Sequence, residues 1–103
     1  MRPSLISLVA AALVCAATLP QAAAAADARY IAANCANCHG TNGNSVGGMA
    51  GLAGMPKDAM IRSMQDFKSG KRPATIMHQL SKGYTDQQIE LIAGYFAAQK
   101  PQK

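Results

Sequence analysis

The sequence predicts a small domain of the all-α class. Its 103 residues suffice for one small domain, and half of them are apolar although only 5% are aromatic. No run of alternating apolar and polar residues, the pattern typical of strands, is evident. The clearest helical face consists of apolar residues three or four positions apart: Ile89, Ile92, Ala93 and Phe96. The chain length excludes a large enzyme with a cofactor domain of its own.

Residues 1–26 have the composition of a secretory signal peptide. Arg2 supplies a positive charge, an apolar run follows, and an alanine-rich stretch offers cleavage sites. The run is short for a bilayer span, so an uncleaved anchor is the weaker alternative. Cys15 does not follow the small residue expected before a lipid-modified cysteine, which also disfavours a lipoprotein. We expect the leader to be removed and residues 27–103 to fold in the periplasm, without a membrane anchor.

A C-x-x-C-H motif is the most informative feature of the expected domain. It consists of Cys35, Cys38 and His39, followed by Gly40. In an exported chain the motif is typical of haem attachment, because two thiols at this spacing can add to the two vinyl groups of one porphyrin. The adjacent imidazole can bind the iron. A domain this small also needs a staple, which a covalent haem supplies.

Three other interpretations of the motif are weaker. A thioredoxin-like dithiol requires a βαβ context, for which the sequence shows no strands. A structural zinc site requires four ligands, and His78 has no second histidine near it at zinc-site spacing. A simple disulfide between the two cysteines would leave His39 without a role.

Residues 27–103 resemble a class I c-type cytochrome. Three further runs are similar to the cytochrome subunit of flavocytochrome c sulfide dehydrogenase and its short single-haem soluble relatives: Phe67-Lys68-Ser69-Gly70, Ala74-Thr75-Ile76-Met77 and Lys82-Gly83-Tyr84-Thr85. The resemblance implies three main helices and a short one around one covalently bound haem c. It also implies an electron carrier rather than an enzyme.

The second axial ligand of the iron is expected among the methionines. Met60 and Met64 have the i, i+4 spacing of ordinary helix packing. Met77 lies on a later segment that can reach the opposite haem face, and the resemblance places the axial methionine there. His78 is the alternative. Neighbours on a helical turn point about 100° apart, so only one of the two can face the iron.

A glycine-rich stretch over residues 40–54 predicts a loop around the haem edge. Leu52 and Met55 are the expected porphyrin contacts. The resemblance implies that His39 hydrogen-bonds a loop carbonyl, commonly near a proline, but this chain has no proline between His39 and Pro56. The expected acceptors are three residues within the loop: Gly47, Gly48 and Met49.

Basic residues outnumber acidic ones ten to five, for a net charge of +5. Four of them bracket the Met77 segment and are the expected docking residues for an acidic redox partner, unless they are merely solvated: Lys68, Lys71, Arg72 and Lys82. That partner is expected to be a flavoprotein dehydrogenase or a terminal oxidase or reductase. Nucleic-acid binding is unsupported, because basic and aromatic residues are not interleaved.

Two functions follow from these observations, and a third is weaker. The favoured function is a mobile periplasmic single-haem carrier that transfers single electrons. The alternative is the haem subunit of a flavoprotein sulfide dehydrogenase-type complex. A haem enzyme or gas sensor would require an open or displaceable sixth coordination site.

Overall fold

A computed structural model of the chain describes residues 27–102 and shows helices joined by turns and by one long loop, residues 44–56. The helices are α1 over residues 27–32, α2 (Ala36–His39), α3 (Lys57–Ser69), α4 (Met77–Lys82) and α5 (Asp86–Ala97). Short 3₁₀ turns occupy Ala33–Cys35 and Thr41–Gly43. Residues 27–102 contain no strand, which agrees with the predicted all-α class. The predicted signal peptide lies outside the described residues.

Local sequence signals explain where α3 begins and ends and where α5 begins. The backbone of Pro56 is extended, with ψ 134°, and α3 starts at the next residue; it stops at Gly70, whose φ of 80° is the left-handed conformation that glycine adopts readily. Thr85 and Gln88 form a reciprocal capping box at the start of α5. The Thr85 hydroxyl accepts a hydrogen bond from Gln88 N at 3.1 Å, and the Gln88 side chain accepts one from Thr85 N at 2.9 Å.

The apolar face of α5 forms the centre of the core. Its four predicted residues are at most 2% exposed: Ile89, Ile92, Ala93 and Phe96. They form one hydrophobic cluster with Ala32 of α1 and with Met60 and Met64 of α3. The prediction that these two methionines are packing residues is therefore consistent with their burial. Each large apolar side chain buried this way contributes about 1.5–3 kcal/mol, which makes α5 the main stabilising element.

Helix α3 joins the other helices, because it packs against both α4 and α5. Ser81 of α4 is fully buried, and its hydroxyl lies 3.6 Å from the Met64 sulfur as a hydrogen-bond donor. Near the end of α3, Lys68 Nζ donates to the Tyr84 carbonyl at 2.7 Å and lies 3.4 Å from the Asp86 carboxylate. These contacts hold the C-terminal end of α4 and the turn after it against α3. Among residues 27–102, no helix is long and apolar enough to cross a membrane.

Candidate functional site

An apolar cavity of about 330 Å³ lies between the motif, the long loop and helices α3 to α5. Its volume is within the range typical of small-molecule and cofactor sites, about 300–1,000 Å³. Every residue that the sequence predicts for cofactor binding lines it: Cys35, Cys38, His39, Leu52, Met55 and Met77. The fold therefore brings together residues that are more than forty positions apart in the sequence.

The end of the N-terminal helical segment presents the motif to this cavity. Cys35 precedes α2, and Cys38 and His39 lie in its single turn. Both thiols are free. Burial raises the pKa of the Cys35 thiol above its ordinary value, and the neighbouring Cys38 raises it further. The Cys35 thiol is therefore protonated at neutral pH.

The His39 ring is oriented by a backbone carbonyl of the loop. Its Nδ1 lies 2.8 Å from the Ala50 carbonyl oxygen. A carbonyl can only accept, so Nδ1 bears the proton and Nε2 is the nitrogen left free for a metal ion. The expectation that Gly47, Gly48 or Met49 would be the acceptor is wrong. Residues 46–49 form an exposed bend, and the carbonyl that reaches His39 belongs to Ala50, the next residue along the chain.

Met77 and His78 differ in where they lie relative to the cavity. Met77, the first residue of α4, lines the wall, whereas His78 is not among the lining residues. His78 Nδ1 is buried and has no hydrogen-bond partner within the described range. Because adjacent helical residues point in different directions, the placement of α4 that directs Met77 at the cavity turns His78 away from it.

Helix α3 and the turn after it contribute a cluster that the sequence did not assign to the cavity. Ser63 and Phe67 line the wall, and so does Arg72. The Arg72 guanidinium lies 4.9 Å from the Phe67 ring centroid, and its Nη1 donates to the Ser63 hydroxyl at 3.2 Å. The i, i+4 spacing of Ser63 and Phe67 is the signal that places both on one face of α3. The position of Arg72 depends on the turn and has no such signal.

Comparison with known protein families agrees with this geometry. The family model described as Cytochrome c matches residues 23–100. The chain belongs to the cytochrome c family. Membership makes it an electron-transfer haem protein and confirms the resemblance and the fold class that the sequence predicts.

One curated relative of this cytochrome is similar over a short segment. The cytochrome subunit of sulfide dehydrogenase from Chlorobaculum tepidum is 55% identical over 31 residues, which are 30% of this chain. The match spans 28% of the length of that relative. It therefore covers only a fragment of either protein.

The residues around the cavity of this cytochrome fit a haem. The wall is almost entirely apolar, as a porphyrin face requires, and Leu52 and Met55 supply part of it. An imidazole and a thioether, the usual pair of axial ligands in cytochromes c, are both present at the wall. Two thiols three positions apart lie beside them. Residues 27–102 contain no group of three or more His, Cys, Asp or Glu side chains placed to hold a metal ion by themselves.

The four basic residues predicted to dock a partner occupy different environments in this cytochrome. Lys71, Arg72 and Lys82 are exposed, whereas Lys68 is half-buried. Lys68 hydrogen-bonds the Tyr84 carbonyl and the Asp86 carboxylate, and the Arg72 guanidinium lies over the Phe67 ring at the cavity wall. Two of the four cations therefore already make contacts within the chain. Their part in docking remains a prediction.

Proposed function

We propose that this cytochrome is a periplasmic carrier of single electrons, with one haem c bound covalently through Cys35 and Cys38. The bound haem supplies a reversible Fe(III)/Fe(II) couple. The observation that supports the proposal is the meeting of the C-x-x-C-H motif and Met77 at one apolar cavity. Delivery to the periplasm depends on residues 1–26, whose composition is that of a signal peptide.

The two cysteines hold the cofactor. Each Sγ would hold the haem through one thioether bond to a vinyl carbon, with the thiol hydrogen added to the other carbon of the same vinyl group. The addition is balanced without an oxidant or reductant. Cys35 is half-buried at the cavity wall, where its thiol can reach a porphyrin seated in the cavity.

His39 and Met77 would hold the haem iron. The Ala50 carbonyl leaves His39 Nε2 unprotonated and available to iron. The Met77 thioether favours a higher reduction potential than a second nitrogen ligand would. With both residues bound to the iron, no position would remain there for a substrate, which suits a carrier.

Optical spectra of the exported protein test the ligand assignment. We expect a covalent haem c spectrum, one haem by mass, and the weak iron–methionine charge-transfer band in the oxidised native protein. Met77→Leu should lose this band, whereas the matched control Met55→Leu should retain it. A Met77→Leu protein that keeps the band would overturn the assignment, and a native protein without covalent haem would overturn the function itself.

The similarity to a sulfide dehydrogenase subunit favours a second candidate function. In that case this chain is the haem subunit of a complex with a flavoprotein that oxidises reduced sulfur. Exposed Lys71, Arg72 and Lys82, with half-buried Lys68 near them in the sequence, would meet an acidic surface of that partner or of another redox protein.

Gel filtration of the native protein from its own cells distinguishes the two candidates. A mobile carrier elutes alone, with haem absorbance at the mass of one small chain. A haem subunit elutes at a larger mass, and its absorbance coincides with flavin absorbance. Raising the salt concentration should release a partner that is held by surface charge.

A further inference from the structure

A clamp joins the start of the long loop to the segment that follows α5. The Asn44 side chain bonds that segment twice. Its Oδ1 accepts a hydrogen bond from Gln102 N at 2.7 Å, and its Nδ2 donates one to the Lys100 carbonyl at 3.2 Å. One amide side chain thus satisfies a backbone donor and a backbone acceptor that lie 58 and 56 positions away. This geometry fixes Asn44 relative to α5.

The end of the same loop is fixed to the same part of the chain. Gly54 N donates to the Phe96 carbonyl at 2.9 Å. A Cβ at Gly54 would lie 2.9 Å from Cγ of Pro101, which shows how closely the two segments approach. The loop is also closed on itself, because the Gly43 carbonyl accepts from Leu52 N at 2.8 Å. The residues between these points include Ala50, whose carbonyl orients His39.

Asn44 also lies directly against the motif. Gly40 follows His39 and has φ +84°, and a Cβ built there would be only 2.1 Å from the Asn44 carbonyl oxygen. The Asn44 backbone is therefore packed on the residue next to the proximal histidine. A shift of Asn44 would move the start of the loop. It would also press on Gly40, the residue next to His39.

We propose that Asn44 is a positioning residue that holds the Ala50 carbonyl against His39 Nδ1 and thereby tunes the reduction potential. The inference rests on the proposed function, because it takes His39 as an iron ligand. A carbonyl that accepts from Nδ1–H makes the imidazole a stronger electron donor, and a stronger donor stabilises the oxidised iron. Loss of the clamp should loosen the bond between His39 and Ala50 and raise the potential.

Asn44→Ala in the haem-loaded protein tests this inference. We expect the His39 Nδ1–H proton, followed by NMR in the reduced protein, to exchange with solvent several-fold to about tenfold faster than in the native protein. The midpoint potential should move upward. Gln87→Ala, an exposed position on α5, is the control and should match the native protein in both measurements.

A second variant removes the clamp from the other side. Gln102→Pro deletes the backbone N–H that Asn44 accepts and leaves Asn44 unchanged. It should shift exchange and potential in the same directions by a smaller amount, because the bond to Lys100 remains. It also provides the test if Asn44→Ala does not yield folded protein.

The inference is overturned if both variants have a normal haem spectrum, reduced stability, and native values for Nδ1–H exchange and potential. The clamp would then only stabilise the fold. Failure of the proposed function would show differently, as a native protein that lacks covalent haem. The absorption spectrum of each sample, recorded before the exchange measurement, separates the two outcomes.

Discussion

Gly40 determines how closely the loop can approach the haem motif. Its φ of +84° lies in the region that residues with a side chain rarely adopt, and the Asn44 carbonyl occupies the space where a Cβ would be. Gly47 differs in both respects. Its φ is not positive, and within the described part of the chain no atom beyond its immediate neighbours lies within 4 Å of the position that a Cβ would take. The two glycines therefore serve different needs within one loop.

Gly40→Ala should lower the free energy of unfolding by at least about 2 kcal/mol, since the strained φ alone costs about 1–2 kcal/mol and the backbone clash adds to it. Gly47→Ala, the matched control, should change it by less than about 1 kcal/mol and can be slightly stabilising. Urea titrations of the haem-loaded proteins measure both. Equal stability of the two variants would contradict the close approach at Gly40.

At the scale of elements, the Asp86 side chain joins the first turn of α5 to α3. The Asp86 carboxylate accepts a hydrogen bond from Gln65 at 2.9 Å and one from Lys68 at 3.4 Å. The Gln65 bond, and then Lys68, hold the pKa of Asp86 below its ordinary value. A carboxylate in the first turn also interacts favourably with the helix dipole.

The lowered pKa of Asp86 predicts a pH-dependent contribution to stability. A carboxyl whose pKa is lower in the folded state contributes its full stabilisation at pH values above its pKa in the unfolded chain, about 4. This contribution is lost as the pH falls through the pKa of the folded state. Asp86→Asn should therefore be less stable than the native protein at pH 7, and the gap should close under strongly acidic conditions.

Thermal melts of the haem-loaded proteins between neutral and acidic pH measure this gap. Glu90→Gln, an exposed carboxylate on the same helix, is the control and should show a smaller difference at pH 7. Because the Asp86 side chain is largely exposed, the effect should also shrink with added salt. A gap that stays constant with pH would rule out the charge as its cause.

At the scale of the whole molecule, the core is complete only with a group in the cavity. The buried cluster of α1, α3 and α5 borders an apolar space of about 330 Å³. Without a group in it, this apolar wall faces solvent, and each large apolar side chain left exposed forgoes about 1.5–3 kcal/mol of burial. Such losses at several side chains are comparable with the entire stability of a small domain, about 5–15 kcal/mol.

Preventing haem attachment should therefore unfold the chain. We expect the double variant Cys35→Ser/Cys38→Ser, purified without haem, to lose most of its helical circular dichroism and its cooperative melt. Met77→Leu, in which the haem stays attached, should keep its helical signal and is the control. A double variant with native helicity and a sharp melt would show that the helices fold without the cofactor.

Several features could be predicted because they depend on neighbouring residues alone. The buried face of α5 follows from helical spacing, and all four of its predicted residues are in the core. The capping box at Thr85 and the stop at Gly70 are likewise local. The motif at residues 35–39 predicts haem from the covalent spacing of two thiols and an imidazole, and the family match agrees with it.

The sequence by itself determined the all-α class, the haem motif and the core face of α5, because helical periodicity and covalent spacing act over a few residues. Only the tertiary structure decided that Ala50 orients His39 and that Asn44 is tied to Lys100 and Gln102. Those pairs are 11, 56 and 58 positions apart. Contacts over such separations depend on how the loop and helices pack, and no local pattern specifies them.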